Sequence, residues 1–142
     1  VIGEGKEKAR LMLLTKKLNL GNYVRFKGFI DNKLMPLYLS ASDLFIMPSL
    51  WEGACISIIE ALACDVPVIA TDVGNAKELI NNENGIIIKP KNVKAIEDAI
   101  INSFNKKFKN MRNNAKTLYD WEVIAKNTMD VYKRLSRRYW NI

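Results

Sequence analysis

The sequence predicts an α/β fold: a doubly wound parallel sheet with helices on both faces. Two observations carry this reading. Short apolar runs of strand length alternate with segments of helical period, and Gly, Pro, Asn or Asp closes nearly every run. A third is negative, since no internal repeat or low-complexity stretch interrupts the 142 residues. A chain of that length buries roughly two-thirds of its unfolded surface, so a single domain over residues 1–142 with one core is expected.

Taken in order, Val1 and Ile2 read as the end of a strand that runs into Gly3-Glu4-Gly5. This lone G-x-G fits a plain tight turn as well as a phosphate loop. A helix follows to about residue 18, Asn19-Leu20-Gly21-Asn22 turns the chain, and residues 23–26 are the next strand. Asp31 or Asn32 caps a helix in which Leu34, Leu37, Tyr38 and Ala41 keep the i, i+3, i+4, i+7 spacing of a core-facing stripe. Asp43-Leu44-Phe45-Ile46-Met47 is a buried-strand run closed by Pro48-Ser49. From Cys55 to Cys64 the chain is apolar almost all round, which predicts a helix buried on most of its surface. Residues 66–70 and 85–88 are the later strands, and helices are expected over 76–80, 93–104, 107–119 and 122–138. Trp121, Val131, Tyr132 and Leu135 supply the apolar face of the last helix.

The segment Glu52-Gly53-Ala54-Cys55-Ile56-Ser57-Ile58-Ile59-Glu60-Ala61 sets two carboxylates eight positions apart across the strand-to-helix turn. Ser57 and Glu60 share a helix face close to the helix N-terminus, where free N–H groups and the dipole favour an anion such as phosphate. A carboxylate in so apolar a helix needs hydrogen-bond donors, and sugar or ribose hydroxyls would serve. Spacing alone leaves a plainer alternative open, in which Glu60 pairs with a Lys or Arg of the core and Glu52 is a solvated loop residue. Ligands of an open α/β sheet bind outside the carboxyl ends of its strands, where the loops 3–5, 28–30, 48–53 and 72–75 are expected to gather.

A net charge of +7 fits a diphosphate site, an anionic membrane surface or a nucleic-acid partner, and does not choose among them. The basic residues concentrate late, at Lys106, Lys107, Lys109, Arg112 and Lys116 and at Lys133, Arg134, Arg137 and Arg138, and read most simply as solvated helix faces. With no histidine and two cysteines, the common zinc patterns, Cys-His pairs and Ser-His-Asp triads are excluded. Cys55 and Cys64 at the two ends of one helix would stand about 13 Å apart, beyond the ~7 Å limit for bridging. Reduced thiols and a cytoplasmic setting are therefore expected. No run of eighteen apolar residues is present, so no membrane crossing is expected, and peripheral contact with a membrane stays open.

The two-Glu segment resembles the E-G-x-x-x-x-x-x-E-A signature of the donor-binding, C-terminal half of GT-B glycosyltransferases of the retaining family 4 type. Its flanks are similar as well. Phe26-Lys27-Gly28-Phe29 resembles that family's F-x-G turn, and Ser42-Asp43-Leu44-Phe45-Ile46-Met47-Pro48-Ser49 its strand ending in Pro-Ser. Pro67-Val68-Ile69-Ala70-Thr71, Gly74 and Glu78 resemble its P-V-I-A-T and G-G-x-x-E segments, and Gly85-Ile86-Ile87-Ile88 with Pro90 and Trp121-Glu122 complete the likeness. Four positions depart from the pattern. Ala54 and Cys55 stand where small residues, Pro or Gly usually follow Glu-Gly, and Cys55 falls where the family approaches the donor sugar, which leaves the sugar open. Asp65 replaces a common Gly and is expected to serve as a C-cap. Asn75 replaces the second Gly of the pair and is expected to tolerate a left-handed backbone there.

The resemblance implies a Rossmann-like sheet forming one half of a GT-B fold, with a nucleotide-diphosphate sugar as donor. Glu60 would bind the ribose hydroxyls, and backbone N–H groups of Gly53, Ala54, Cys55, Ile56 and Ser57 would hold the diphosphate or sugar. Glu52, the residue nearest to a catalytic role, would orient sugar hydroxyls at the reacting carbon. The backbone of Gly28, Phe29 and Ile30 would contact the base, with Gly3 and Gly5 in the adjoining loop. Transfer would retain configuration through an oxocarbenium-like transition state, and helix N-terminal donors would stabilise the leaving diphosphate without a metal or other cofactor. A glycosidase acid–nucleophile pair ranks lower, because one Glu belongs to an apolar helix. The resemblance also implies that a first strand–helix unit, with the Arg and Lys of the diphosphate clamp, and an acceptor domain are absent, so that the chain alone would be inactive. No nucleic-acid partner is expected. The alternative is a non-catalytic α/β nucleotide-binding or assembly module of the same fold.

Overall fold

The computed structural model describes residues 1–139 and separates into two units, the first being Val1–Tyr38. In that unit helix α1 (Lys8–Lys17) ends where the Asn19 N–H bonds Lys16 O and the Leu20 N–H bonds Thr15 O. This is a Schellman motif with Asn19 in the left-handed position at φ 56°. The expected strand over 23–26 does not form. Pairing is confined to one parallel bridge between Ile2 and Gly28, flanked by the Val1 ammonium on Arg25 O at 2.6 Å and the Lys27 N–H on Val1 O at 2.9 Å. Gly28 at φ 70° turns the chain out of the extended line at the bridge itself. Asp31 caps the next turn as expected, its Oδ1 accepting the Lys33 N–H at 2.8 Å, and α2 (Met35–Ser40) carries the chain out of the unit.

The second unit contains β1 (Phe45–Met47), α3 (Ile56–Ala63), β2 (Val68–Thr71), α4 (Ala76–Leu79), β3 (Gly85–Ile88), α5 (Val93–Phe104), α6 (Met111–Tyr119) and α7 (Trp121–Tyr139). Its three strands lie parallel in chain order, with Ile46 beside Ile69 and Ile69 beside Ile86. Every residue of β2 is buried. Alternate side chains of a strand point to opposite faces, so both faces of the sheet are covered at its centre, as a parallel sheet requires. On one face α5 sets Ala95, Ile96, Ala99 and Ile100 against Ile46, Ile69, Ile86 and Ile88. Helix α3 packs on β1 and β2, and α6 packs on α3. This is the Rossmann-like α/β arrangement that the sequence predicts.

The α3–α6 junction turns on Asp65. It occupies the left-handed position at φ 60°. The Asp65 N–H bonds Leu62 O and the Val66 N–H bonds Ala61 O, both at 3.0 Å, a second Schellman motif. The Asp65 carboxylate then receives the Arg112 backbone N–H at 3.1 Å and the Arg112 guanidinium at 3.3 Å, while Arg112 Nε donates to Ala63 O at 3.0 Å. One side chain thus caps the start of α6, and its partner caps the end of α3. Helix α6 begins at Met111 rather than at 107, because the Lys109 N–H is held by Glu83 O and Asn110 is left-handed at φ 61°.

On α7 the residues Trp121, Tyr132 and Leu135 remain exposed, so the apolar face expected there is uncovered among the described residues. The side chains of Arg137 and Arg138 lie outside the described ones. No helix among the described residues is long and apolar enough to cross a membrane.

Candidate functional site

Helix α3 is short of a side-chain cap. Its N-cap is Cys55, at φ −82° and ψ 61°, and the Ile56 N–H closes on Ala54 O at 2.9 Å, so the chain enters the helix through an inverse γ-turn. The Cys55 thiol turns inward, 2% exposed, with Sγ 3.7 Å from Val73 O, and burial pushes its pKa up. Both cysteines are free, as the expected spacing requires.

The helix then buries Ile58, Ala61 and Leu62, a stripe at i, i+3, i+4. The opposite face carries Ile56, Ser57, Glu60 and Ala63, all exposed. This corrects the expectation of a helix buried on most of its surface with a carboxylate in need of rescue. Ser57 and Glu60 do share one face near the N-terminus, and that face opens to solvent, so Glu60 needs no internal donor. Eight apolar letters in ten cannot tell a helix buried all round from one that spends some of them on an open face.

The loop between β1 and α3 is seated on the loop that follows β2. Gly74 is left-handed at φ 53°, and a Cβ there would stand 2.9 Å from Glu52 O and 3.1 Å from Gly53 O. The two backbones approach that closely only because residue 74 is glycine. Next to it Asn75 accepts the Cys55 N–H on Oδ1 at 2.9 Å. Its backbone is at φ −96°, so the left-handed conformation expected of Asn75 is not used. The side chain is the working part. That role was missed in the sequence, where the only signal was an Asn following Gly at a loop position.

Of the backbone donors assigned to Gly53, Ala54, Cys55, Ile56 and Ser57, two are therefore engaged internally. Cys55 N–H is held by Asn75 and Ile56 N–H by Ala54 O, whereas Gly53, Ala54 and Ser57 have no internal acceptor among the described residues. Glu52 is half-buried, and its Oε1 accepts the Ser49 hydroxyl at 2.7 Å. Thr71, 2% exposed at the end of β2, donates in turn to Ser49 O at 2.6 Å. Both loops thus lie at the carboxyl ends of parallel strands.

In the first unit Gly3 and Gly28 meet, the Gly3 N–H bonding Gly28 O at 2.8 Å. That amide is consequently not free for a phosphate, and Gly5 serves as the turn into α1, its carbonyl accepting Lys8 N–H at 3.1 Å. Here the plain tight turn describes the G-x-G. Glu4 pairs with Lys8 at 2.7 Å and would collide with any Cβ on Gly28. Phe29 is exposed and Ile30 buried. A concavity of about 570 Å³ in this unit is lined by Met12, Thr15, Lys16, Asn19, Gly21, Asn22, Val24 and Phe26 and holds none of the expected site residues.

With this geometry in hand, similarity to known proteins is informative. A family model described as glycosyl transferases group 1 matches residues 1–118. An uncharacterized glycosyltransferase of Methanocaldococcus jannaschii is 31% identical over 140 residues, which cover 94% of this chain and 36% of that protein. Among solved structures, sucrose-phosphate synthase of Thermosynechococcus elongatus superposes with a TM-score of 0.81 at 33% identity, over 92% of this chain and 35% of that one. HepE of Anabaena, solved in complex with UDP-glucose, gives 0.74 at 26% identity over 95% of this chain and 40% of that one. The chain thus spans 35–40% of the length of these relatives. A match running through 118 residues, with the Glu52–Glu60 segment inside it, places this chain in the glycosyl transferases group 1 family.

Proposed function

We propose that the chain is the donor-binding half of a glycosyltransferase that moves a sugar from a nucleotide-diphosphate sugar to an acceptor. The observation that carries this reading is the seating of the Glu52 loop on Gly74 and Asn75, beside a helix N-terminus that presents Ser57 and Glu60 to solvent. The likeness to HepE, whose structure contains UDP-glucose, supports a nucleotide sugar as the ligand.

In this reading Glu60 accepts hydrogen bonds from the ribose hydroxyls, and an exposed carboxylate can do so at little desolvation cost. The free N–H groups of Gly53, Ala54 and Ser57 hold the diphosphate, with the α3 dipole behind them. Glu52 orients the sugar. During transfer, charge grows on the leaving diphosphate, and these fixed donors stabilise it without a metal. Configuration at the reacting carbon is retained. The acceptor is held by residues outside these 142, so the chain alone does not transfer sugar.

Calorimetric titration with UDP, GDP and ADP tests the reading. One of the three should bind, and Glu60→Ala should weaken it by roughly tenfold, the effect of losing hydrogen bonds to a charged acceptor. Absence of binding to all three would favour a non-catalytic module of the same fold. Measurable sugar transfer by the isolated chain, abolished by Glu60→Ala, would overturn the requirement for further residues.

A further inference from the structure

The loop from Pro48 to Gly53 has little apolar anchorage: Leu50 is 62% exposed and Trp51 83%. A loop so weakly packed takes its shape from polar ties. Two run in series, from buried Thr71 to the Ser49 carbonyl at 2.6 Å and from the Ser49 hydroxyl to Glu52 Oε1 at 2.7 Å. Thr71 belongs to β2, whose residues are buried throughout, so the series connects the rigid centre of the sheet to the Glu52 carboxylate.

We propose that Ser49 is a positioning residue for recognition of the donor sugar. This rests on the reading that Glu52 meets that sugar. A serine hydroxyl has one proton to give, and here it goes to Oε1, which fixes the carboxylate plane and leaves Oε2 to accept from a ligand hydroxyl. Holding the carboxylate before the ligand arrives removes the ordering cost from the binding step. The benefit is confined to ligands that carry a sugar. A nucleoside diphosphate without one has no hydroxyl to present to Glu52 and gains nothing from Ser49.

The test compares each nucleoside diphosphate with its glucose or mannose ester, using UDP, GDP and ADP pairs, on the unaltered chain and on Ser49→Ala, Ser49→Thr and Glu52→Gln. The unaltered chain should bind one sugar nucleotide more tightly than its bare diphosphate, and Glu52→Gln should erase the difference. Ser49→Ala should lose roughly five- to tenfold in affinity for the sugar nucleotide, keep its affinity for the bare diphosphate, and regain the loss in Ser49→Thr. If Ser49→Ala weakens both ligands alike, the residue merely supports the loop and the inference fails. It fails by itself if the sugar preference vanishes in Glu52→Gln yet persists in Ser49→Ala. No binding by the unaltered chain, or a preference that survives Glu52→Gln, overturns the donor reading and this inference with it.

Discussion

The amide N–H of Cys55 is a group that a phosphate could take, and Asn75 Oδ1 takes it instead from 20 residues away. The asparagine does from another element what the Glu or Gln at N3 of a capping box does for the N-cap N–H. Asn75→Ala leaves the buried donor without its partner and should lower the unfolding free energy by about 1–2 kcal/mol, read by urea denaturation. Gly74→Ala should cost about 2–3 kcal/mol, because it adds both positive-φ strain and a collision with Glu52 O. If neither substitution changes the urea midpoint, the Glu52 loop is not seated on these residues. The conformational tolerance of Asn is a local property, which a sequence displays; its hydrogen-bond partner is a tertiary fact, which a sequence does not.

Among the elements, the α3–α6 junction shows the same division. That Asp65 ends α3 was legible from one helical run, its C-cap position and the strand that follows. That the same carboxylate begins α6 was not, because Arg112 lies 47 residues on. Asp65→Gly relieves the left-handed conformation but deletes the acceptor for Arg112, and Asp65→Asn keeps a short acceptor without the charge. Asn should therefore stay within ~0.5 kcal/mol of the native chain, with Gly lower and Ala lowest, by about 1–2 kcal/mol. Thermal unfolding of the three variants checks the order, and a Gly variant more stable than the native chain would mean that backbone strain outweighs the Arg112 contact. The strand expected over 23–26 failed for a related reason. Its apolar alternation is real, but a strand exists only where a ladder forms, and this stretch makes the single bridge between Ile2 and Gly28.

At the scale of the whole molecule, Glu83 joins the turn before β3 to the start of α6. Its carboxylate accepts Asn110 Nδ2 at 3.0 Å and pairs with Lys109 at 3.1 Å. The Asn110 hydrogen bond, followed by Lys109, holds the Glu83 carboxyl below the usual glutamate range. A carboxyl whose pKa folding lowers adds stability above its unfolded pKa and loses it as pH falls through the folded one. The melting temperature should therefore drop on acidification below the ordinary glutamate range, and Glu83→Gln should flatten that descent. An unchanged slope in the variant would assign the acid loss to other carboxyls. The pair is open to solvent, so salt should shrink the effect.

The strand order of the sheet also bears on how the protein comes into being. Because β1, β2 and β3 are neighbours in the order in which they are joined, the pairings close short crossovers, residues 48–67 and residues 72–84. None has to wait for a distant strand. As the chain leaves the ribosome, β1, α3 and β2 can assemble around Ile69 before β3 and α5 emerge to cover it, and α6 then locks the finished layer through Arg112. The loops that carry Glu52 and Asn75 are both made before β3.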